Sequence, residues 1–116
     1  MTLDWGIRWT LTIVVMNSDG SNPKNLSNHE GTDGWPVWSP DGKSIAYASE
    51  YGPHARIFIM NADGTNKMRI SDDAPFDDRQ PWWHPDGSLL LFSRYQWFKG
   101  QPWDEASEIY ITRIKN

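Results

Sequence analysis

Short apolar runs separated by polar turns occupy most of this chain. Several runs are apolar on both faces, as in Ile57-Phe58-Ile59-Met60, whereas a sheet wetted on one side would alternate apolar and polar residues. The pattern therefore predicts short strands that are covered on both sides. Nine are predicted, at residues 10–16, 24–27, 35–38, 43–49, 56–60, 67–71, 81–83, 88–93 and 108–113.

The turns between these strands follow two formulas. The sequence WSPDG at 38–42 recurs as WHPDG at 83–87, and MNSDGSN at 16–22 recurs as MNADGTN at 60–66. Proline presets the second turn position, aspartate tolerates the third, and glycine takes the positive φ that leads into the next strand. We therefore assign the four aspartates (Asp19, Asp41, Asp63 and Asp86) to the turn backbone.

The two formulas recur in the same order and at nearly the same interval. Met16 and Met60 are 44 positions apart, and Trp38 and Trp83 are 45 apart. A period of about 40–45 residues is typical of one four-stranded propeller blade.

These motifs resemble the TolB-type, WD40-like (PD40) β-propeller repeat. The resemblance covers roughly residues 13–92 and returns at 109–111. It implies an all-β fold of four-stranded antiparallel blades, with residues 1–116 forming one partial propeller domain of about two blades. In this assignment, 10–27 are strands C and D of an incomplete blade, 35–71 a complete blade, and 81–113 a blade without its outer strand.

Two blades cannot close a ring, and their end faces would expose apolar surface. We expect further copies of the chain to cover them. Three chains give six blades, within the usual range of about four to eight, so a cyclic homo-oligomer, preferably a trimer, is predicted. The alternative is a fragment of a longer or engineered propeller.

The composition of the chain excludes some classes of partner and of metal site. The eight tryptophans suit stacked sheets, and a net charge of −4 without a basic stripe argues against nucleic acid. The absence of cysteine excludes disulfides and thiolate metal sites. Neither a signal peptide nor a membrane-spanning segment is recognised, so the sequence as written is cytoplasmic and its location otherwise unknown.

The resemblance also assigns the loops to two faces of a propeller. The D–A and B–C loops share one of these faces, which we call the loop face. This loop face is irregular and polar. Asp33 and Asp78 lie 45 apart, each three residues before a proline, and are predicted to ring the central channel. With His29 they form a predicted divalent-metal set for Ca²⁺ or Mn²⁺, or for Zn²⁺ through the histidine. The alternative is solvated loop acids or acceptors for backbone N–H groups.

The last B–C connection is longer than its counterpart. Ser49 to Ile57 spans 8 positions, whereas Ser93 to Ile109 spans 16. The added aromatic residues are Tyr95, Trp97, Phe98 and Trp103. Trp97 and Trp103 are predicted with Arg79 to bind a small-molecule or protein ligand, or else the insertion packs over a neighbouring chain.

Three functions remain open. The first is a binding module that assembles into a ring, in keeping with the family's usual role. The second is a metal-assisted hydrolase of phosphoesters or lactones, with His29 or His54 as a ligand or general base. The third is a structural or engineered propeller fragment.

Overall fold

The computed structural model describes residues 11–27, 31–50, 52–72, 75–97 and 105–114, and within these ranges the regular elements are all β-strands. The nine described strands form three antiparallel sheets of two, four and three strands. The predicted all-β class is therefore confirmed. None of the described residues forms a helix of the length and apolarity that a membrane crossing needs.

The strands follow the chain in order across each sheet. The first sheet contains β1 (Val14–Val15) and β2 (Lys24–Asn25). The middle sheet contains β3 (Thr32–Trp38), β4 (Ser44–Glu50), β5 (Arg56–Asn61) and β6 (Met68–Arg69). The third sheet contains β7 (Asp77–Trp83), β8 (Leu89–Trp97) and β9 (Glu105–Arg113).

The tight turns use the aspartates as the sequence predicts. In the turn between β7 and β8, Asp86 Oδ1 accepts hydrogen bonds from the Ser88 hydroxyl at 2.7 Å and the Ser88 N–H at 2.9 Å. Asp19 and Asp63 accept the same two bonds from Ser21 and Thr65. Asp41 accepts one bond from the Ser39 hydroxyl and one from the Lys43 N–H. Gly87 follows with φ of 79°, a conformation that glycine adopts without a steric penalty. The prediction that these four residues serve the turns is confirmed.

These hydrogen bonds predict a pH dependence at the Asp86 turn. The hydroxyl and N–H of Ser88 lower the pKa of Asp86 from its ordinary 3.8 to about 2. A carboxyl whose pKa is lower when folded contributes stability above its unfolded pKa and loses it as the pH falls through the folded pKa. We therefore expect thermal stability to decline between about pH 4 and pH 2. A side-chain NMR titration should give a midpoint near 2 for Asp86, and Ser88→Ala should move it toward 3.8. A midpoint that Ser88→Ala leaves unchanged would contradict this cause.

The first strands of the middle and third sheets begin earlier than the sequence predicts. β3 begins at Thr32 rather than Trp35, and β7 at Asp77 rather than Pro81. Each strand passes through a register shift, between Gly34 and Val37 or between Arg79 and Trp82. The residue before each proline, Trp35 or Gln80, has a positive φ of 52° or 58°. A bulge accommodates both the proline and the unusual φ, and pairing resumes at Val37 and at Trp82.

The long B–C connection extends the hairpin of the third sheet. β8 continues to Trp97 and β9 starts at Glu105, with residues paired from Leu89↔Arg113 to Trp97↔Glu105. In the described part of the insertion, residues 94–97 and 105–108 are therefore strand rather than loop. The outer strands β2 and β6 are shorter than predicted, because serine side chains replace ladder partners at their ends.

The middle sheet is covered on both faces, as its apolar pattern predicts. On one side Ile13 and Leu26 of the first sheet pack with Ile45, Tyr47 and Met60. The cluster on the other side joins the middle and third sheets; it contains Ala46, Ala48, Ile57, Trp83, Leu90 and Phe92. Stacked sheets of this kind are the packing expected between neighbouring blades.

The third sheet exposes an apolar face on the side away from the middle sheet, which we call the open face. Trp82, Leu91 and Ile111 lie opposite one another across its three strands, and Ile109 lies beside them. Trp82 is 68% exposed, Ile109 72% and Ile111 64%. The equivalent residues of the middle sheet are Val37, Ala46 and Ile59, which pack against the third sheet.

Candidate functional site

Asp33 and Asp78 occupy equivalent positions at the starts of the two inner strands. Both are buried, with exposures of 1% and 0%. The N–H of Asp33 donates to the Leu11 carbonyl and that of Asp78 to the Ala55 carbonyl, each at 3.0 Å, which ties each inner strand to the preceding sheet. Because both side chains are buried, the prediction of solvated loop acids is wrong, whereas the role of acceptor for backbone N–H groups stays a prediction.

Asp78 forms a buried ion pair with its cross-strand neighbour Arg94. Arg94 Nε donates to Asp78 Oδ1 at 2.7 Å and its Nη2 to Oδ2 at 3.0 Å. Asp72 accepts a further hydrogen bond at 2.8 Å, and the guanidinium lies 4.5 Å from the ring centre of Tyr110. The hydrogen bonds to Asp78, followed by those to Asp72, raise the pKa of Arg94 above its ordinary value against the opposing effect of burial. Two oxygens of Asp78 are thus committed to holding two strands of the third sheet together.

A second cluster, which we call the Arg79 cluster, joins the middle and third sheets. Arg79 Nη2 lies 3.1 Å from Glu50 Oε1, and Nη1 lies 3.6 Å from Asp77 Oδ2. The guanidinium is 5.6 Å from the ring centre of Trp35 and 6.0 Å from that of Tyr95. Such contacts hold a cation through ring electrons as well as through paired charge. The cluster presents aromatic and charged groups together at the ends of β4 and β8.

His54 belongs to the same cluster through Asp77. Its Nδ1 lies 3.2 Å from Asp77 Oδ1, which also accepts the N–H of Ala55 at 3.0 Å. Asp77 therefore connects His54 with Arg79, and its two oxygens serve different partners. A histidine oriented by a carboxylate can exchange protons or present its other ring nitrogen to a ligand.

The comparison with protein families identifies the fold family. The PD40 model, described as the TolB beta propeller domain, matches residues 8–114. The chain belongs to the PD40 family. The resemblance drawn from the WSPDG and MNxDG motifs is confirmed.

Relatives of this PD40 chain include proteins with different names. An uncharacterized peptidase, YuxL, from Bacillus subtilis (strain 168) is 36% identical over 80 residues, which are 68% of this chain and 12% of YuxL. The Tol-Pal system protein TolB of Thioalkalivibrio sulfidiphilus is 34% identical over 59 residues, 51% of this chain and 14% of that protein. An oligogalacturonate lyase of Dickeya dadantii is 34% identical over 68 residues, 53% of this chain and 17% of the lyase. The PD40 chain thus spans a small part of each relative.

Solved structures agree on the fold. A putative TolB from Agrobacterium tumefaciens superposes with a TM-score of 0.73 at 24% identity, covering 89% of this chain and 37% of that one. TolB from Acinetobacter baumannii gives 0.68 at 24% identity, covering 90% of this chain and 26% of that one. The sheets of this PD40 chain therefore have the arrangement of blades in a TolB propeller.

The structure brings together only some of the predicted site residues of this PD40 chain. His54 and Arg79 meet through Asp77. Trp97 ends β8, while His29 and Trp103 lie outside the described residues. Among the side chains that are described, no three histidine, aspartate or glutamate groups come together to hold a metal ion. The predicted metal set of Asp33, Asp78 and His29 stays a prediction.

Sequence reasoning did not single out Arg94 or Asp77. Arg94 is the position equivalent to Ser49, 45 residues earlier, and it interrupts an apolar strand with a charge. A buried charge requires a paired partner, so this interruption was a usable signal. The partner stayed hidden because Asp78 was assigned to the loop before β7.

Proposed function

We propose that the chain is a propeller interaction module that associates with further copies of itself through the open face to close a ring, with three copies as the first expectation. The single observation behind this proposal is the apolar row in which the exposed Trp82 and Ile111 flank the half-buried Leu91. A contiguous apolar patch of this kind marks an interaction surface in soluble proteins.

The covered side of the same repeat indicates what fits there. In the middle sheet, the equivalent row packs against the third sheet, and the indole of Trp83 donates to the Val37 carbonyl at 3.3 Å. Trp38 is the counterpart of Trp83, and Trp82 is the counterpart of Val37. Trp38 is 52% exposed and borders a groove of about 230 Å³ beside Ile13 and Val14. In the proposed head-to-tail pair, Trp38 of one copy donates to the Trp82 carbonyl of the preceding copy, beside the part of this face that Ile13 and Leu26 cover.

An acidic side chain in the centre of the open face should prevent the association. Ile111→Asp places a charge where the proposed contact excludes water, so we expect the association constant to fall by about two orders of magnitude or more. Light scattering after gel filtration should give three times the 13.4 kDa of the chain for the wild type and a single chain for the variant. Ile111→Val keeps the face apolar and should retain the assembly. A wild-type protein that is monomeric at high concentration would overturn the proposal.

Besides the open face, the proposed module has a second binding surface, which is formed by the Arg79 cluster. This cluster supports the ligand site that the sequence predicts at the loop face. Trp35 is 42% exposed and lies beside the guanidinium that it holds. The TolB relatives are named as proteins of the Tol-Pal system, which favours a protein as the ligand. The variants Trp97→Ala and Trp103→Ala separate the two predicted roles of these residues. If the protein ligand no longer binds while the mass of the assembly is unchanged, the residues contact the ligand. If the assembly itself is lost, they contact a neighbouring copy.

Metal-assisted hydrolysis stays the alternative function. Two relatives are named as enzymes, a peptidase and a lyase, which is the reason to retain a catalytic alternative. The chain spans 12% of the length of the first and 17% of the length of the second. The commitment of Asp78 to Arg94 gives this alternative no support. Elemental analysis of the purified protein would favour it if a stoichiometric metal disappeared in Asp33→Asn.

A further inference from the structure

Trp35 and Gln80 occupy equivalent positions of β3 and β7, and both have a backbone conformation that their residue types rarely adopt. Their φ angles are 52° and 58°, and each directly precedes a proline at the register shift of its strand. Glycine meets a positive φ without strain, whereas a bulky residue with this φ is an outlier. The chain therefore keeps an indole and an amide where the backbone favours glycine, and such strain indicates a use for the side chains.

Arg79 joins these two side chains into one surface. Its guanidinium lies 5.6 Å from the ring centre of Trp35 and 6.0 Å from that of Tyr95. The Tyr95 hydroxyl donates a hydrogen bond to Gln80 Oε1 at 2.8 Å. Trp35 is 42% exposed and Gln80 is also exposed, so a ligand can reach both the ring and the amide. We call these four residues, which β3, β7 and β8 supply, the donor surface.

The polar atoms that stay uncommitted on the donor surface are mostly hydrogen-bond donors. Among the contacts of the described residues, the indole N–H of Trp35 and the amide N–H groups of Gln80 have no acceptor. The Arg79 side chain carries five N–H donors, and its recorded hydrogen bond runs from Nη2 to Glu50 Oε1 at 3.1 Å. A ligand that fits this surface must therefore bring acceptors.

The charges beside the donor surface decide which acceptors fit. Glu50 Oε1 lies 3.1 Å and Asp77 Oδ2 lies 3.6 Å from the Arg79 guanidinium, so two carboxylates already accompany one cation. A further negative charge from a ligand would be repelled by both carboxylates at this short range. The acceptors must therefore be uncharged, which favours carbonyl oxygens over carboxylate or phosphate oxygens.

Proline-rich peptides combine uncharged acceptors with rings that pack on aromatic side chains. Each proline contributes a carbonyl oxygen but no N–H, so it brings an acceptor without a donor that would need its own partner. A run of prolines is also extended before it binds, which lowers the cost of ordering the ligand. Aromatic surfaces recognise such segments in other protein domains for these reasons.

We propose that the donor surface binds an extended proline-rich segment of a protein partner. The pyrrolidine rings pack against Trp35 and Tyr95, and main-chain carbonyls accept hydrogen bonds from Gln80 and Arg79. This inference rests on the second binding surface of the proposed function, and it names the kind of segment which that surface takes. It is independent of the open face, which contributes none of these residues.

A capped octaproline peptide with a fluorescent label tests the site on the full chain. We expect its anisotropy to rise and saturate with protein concentration, and the NMR signal of the Trp35 indole N–H to shift in the same range. A labelled glycine-serine peptide of equal length should bind about tenfold more weakly, since it has no rings and must be ordered. Labelled octaglutamate should bind still more weakly. Equal binding of the glycine-serine peptide, or tighter binding of octaglutamate, would overturn the proposal.

Three variants locate the binding on the chain. Trp35→Gly removes the ring and relieves the positive φ, so we expect loss of octaproline binding with nearly unchanged thermal stability. Gln80→Glu keeps the acceptor for the Tyr95 hydroxyl but removes the amide donors, and should weaken binding roughly fivefold. Trp82→Ala is the matched control, because Trp82 is an exposed tryptophan of the open face and its loss should leave binding unchanged. Full binding in both Trp35→Gly and Gln80→Glu, or lost binding in Trp82→Ala, would overturn the site.

Light scattering on the same samples keeps this test separate from the proposed ring. Octaproline binding by a chain that stays monomeric would uphold the donor surface as a binding site while removing the self-association. A chain that assembles as proposed, but whose Trp35 signal does not shift at millimolar octaproline, would overturn the proline-binding site alone.

Discussion

Replacing Arg94 by methionine is expected to lower the free energy of unfolding by about 3–5 kcal/mol. Asp78 is fully buried, and Arg94 supplies both of its close ionic contacts, at 2.7 and 3.0 Å. Without Arg94, the nearest remaining guanidinium in the described contacts is that of Arg56, 3.8 Å away. The loss is large because the Asp78 carboxylate stays buried after losing both hydrogen bonds from Arg94. Urea unfolding followed by tryptophan fluorescence measures it.

Two further variants separate this cause from a general effect of losing an arginine. Arg113 is an exposed arginine of the same sheet, and Arg113→Met should change stability by no more than about 0.5 kcal/mol. Combining Arg94→Met with Asp78→Leu removes both charges and should recover much of the stability, since apolar replacements of a buried pair are often neutral. A loss below about 1 kcal/mol in Arg94→Met would contradict a structural role for the pair. If that variant does not fold, recovery in the double variant carries the test.

Ile57→Ala is expected to cost about 2–5 kcal/mol, whereas the same change at Ile109 should cost about 0.5 kcal/mol or less in the isolated chain. The two isoleucines hold equivalent positions on β5 and β9. Ile57 is 0% exposed because the third sheet covers it, and Ile109 is 72% exposed. Truncation leaves a cavity only where neighbouring atoms surround the side chain.

The stability losses of Ile57→Ala and Ile109→Ala also report on assembly when they are measured at different protein concentrations. If both variants lost the same free energy of unfolding in dilute solution, the exposure of Ile109 on the open face would be contradicted. At concentrations where copies associate, the loss in Ile109→Ala should grow, because a second copy then covers that side chain. Thermal unfolding at two protein concentrations provides both measurements.

The elements were largely predictable because local rules determine them. Each Pro-Asp-Gly or Asn-x-Asp-Gly turn forms from residues within five positions of one another, and the hydroxyl of Ser88 or Thr65 completes it. The 44- and 45-residue spacings then assign strands to successive sheets. Apolar residues on both faces of β4 and β5 predicted a sheet covered twice, and the two clusters around the middle sheet have that arrangement.

The candidate site was less predictable because a register shift controls it. The predicted strand began only at Pro81, so Asp77 and Asp78 were assigned to the loop before it. The bulge between Arg79 and Trp82 instead carries the strand back to Asp77, which places Asp78 opposite Arg94 and Asp77 beside His54. Residues 16 to 23 positions apart meet as a result.

The sequence by itself determined the propeller family, the order of the strands and the chemistry of the turns, because these depend on residue type, period and short-range hydrogen bonds. Only the tertiary structure decided that Asp78 pairs with Arg94, that Arg79 lies near the rings of Trp35 and Tyr95, and that Ile109 is exposed where Ile57 is buried. These depend on strand register and on which sheet packs against which face, and identical residue types at equivalent positions of the repeat have different surroundings for that reason.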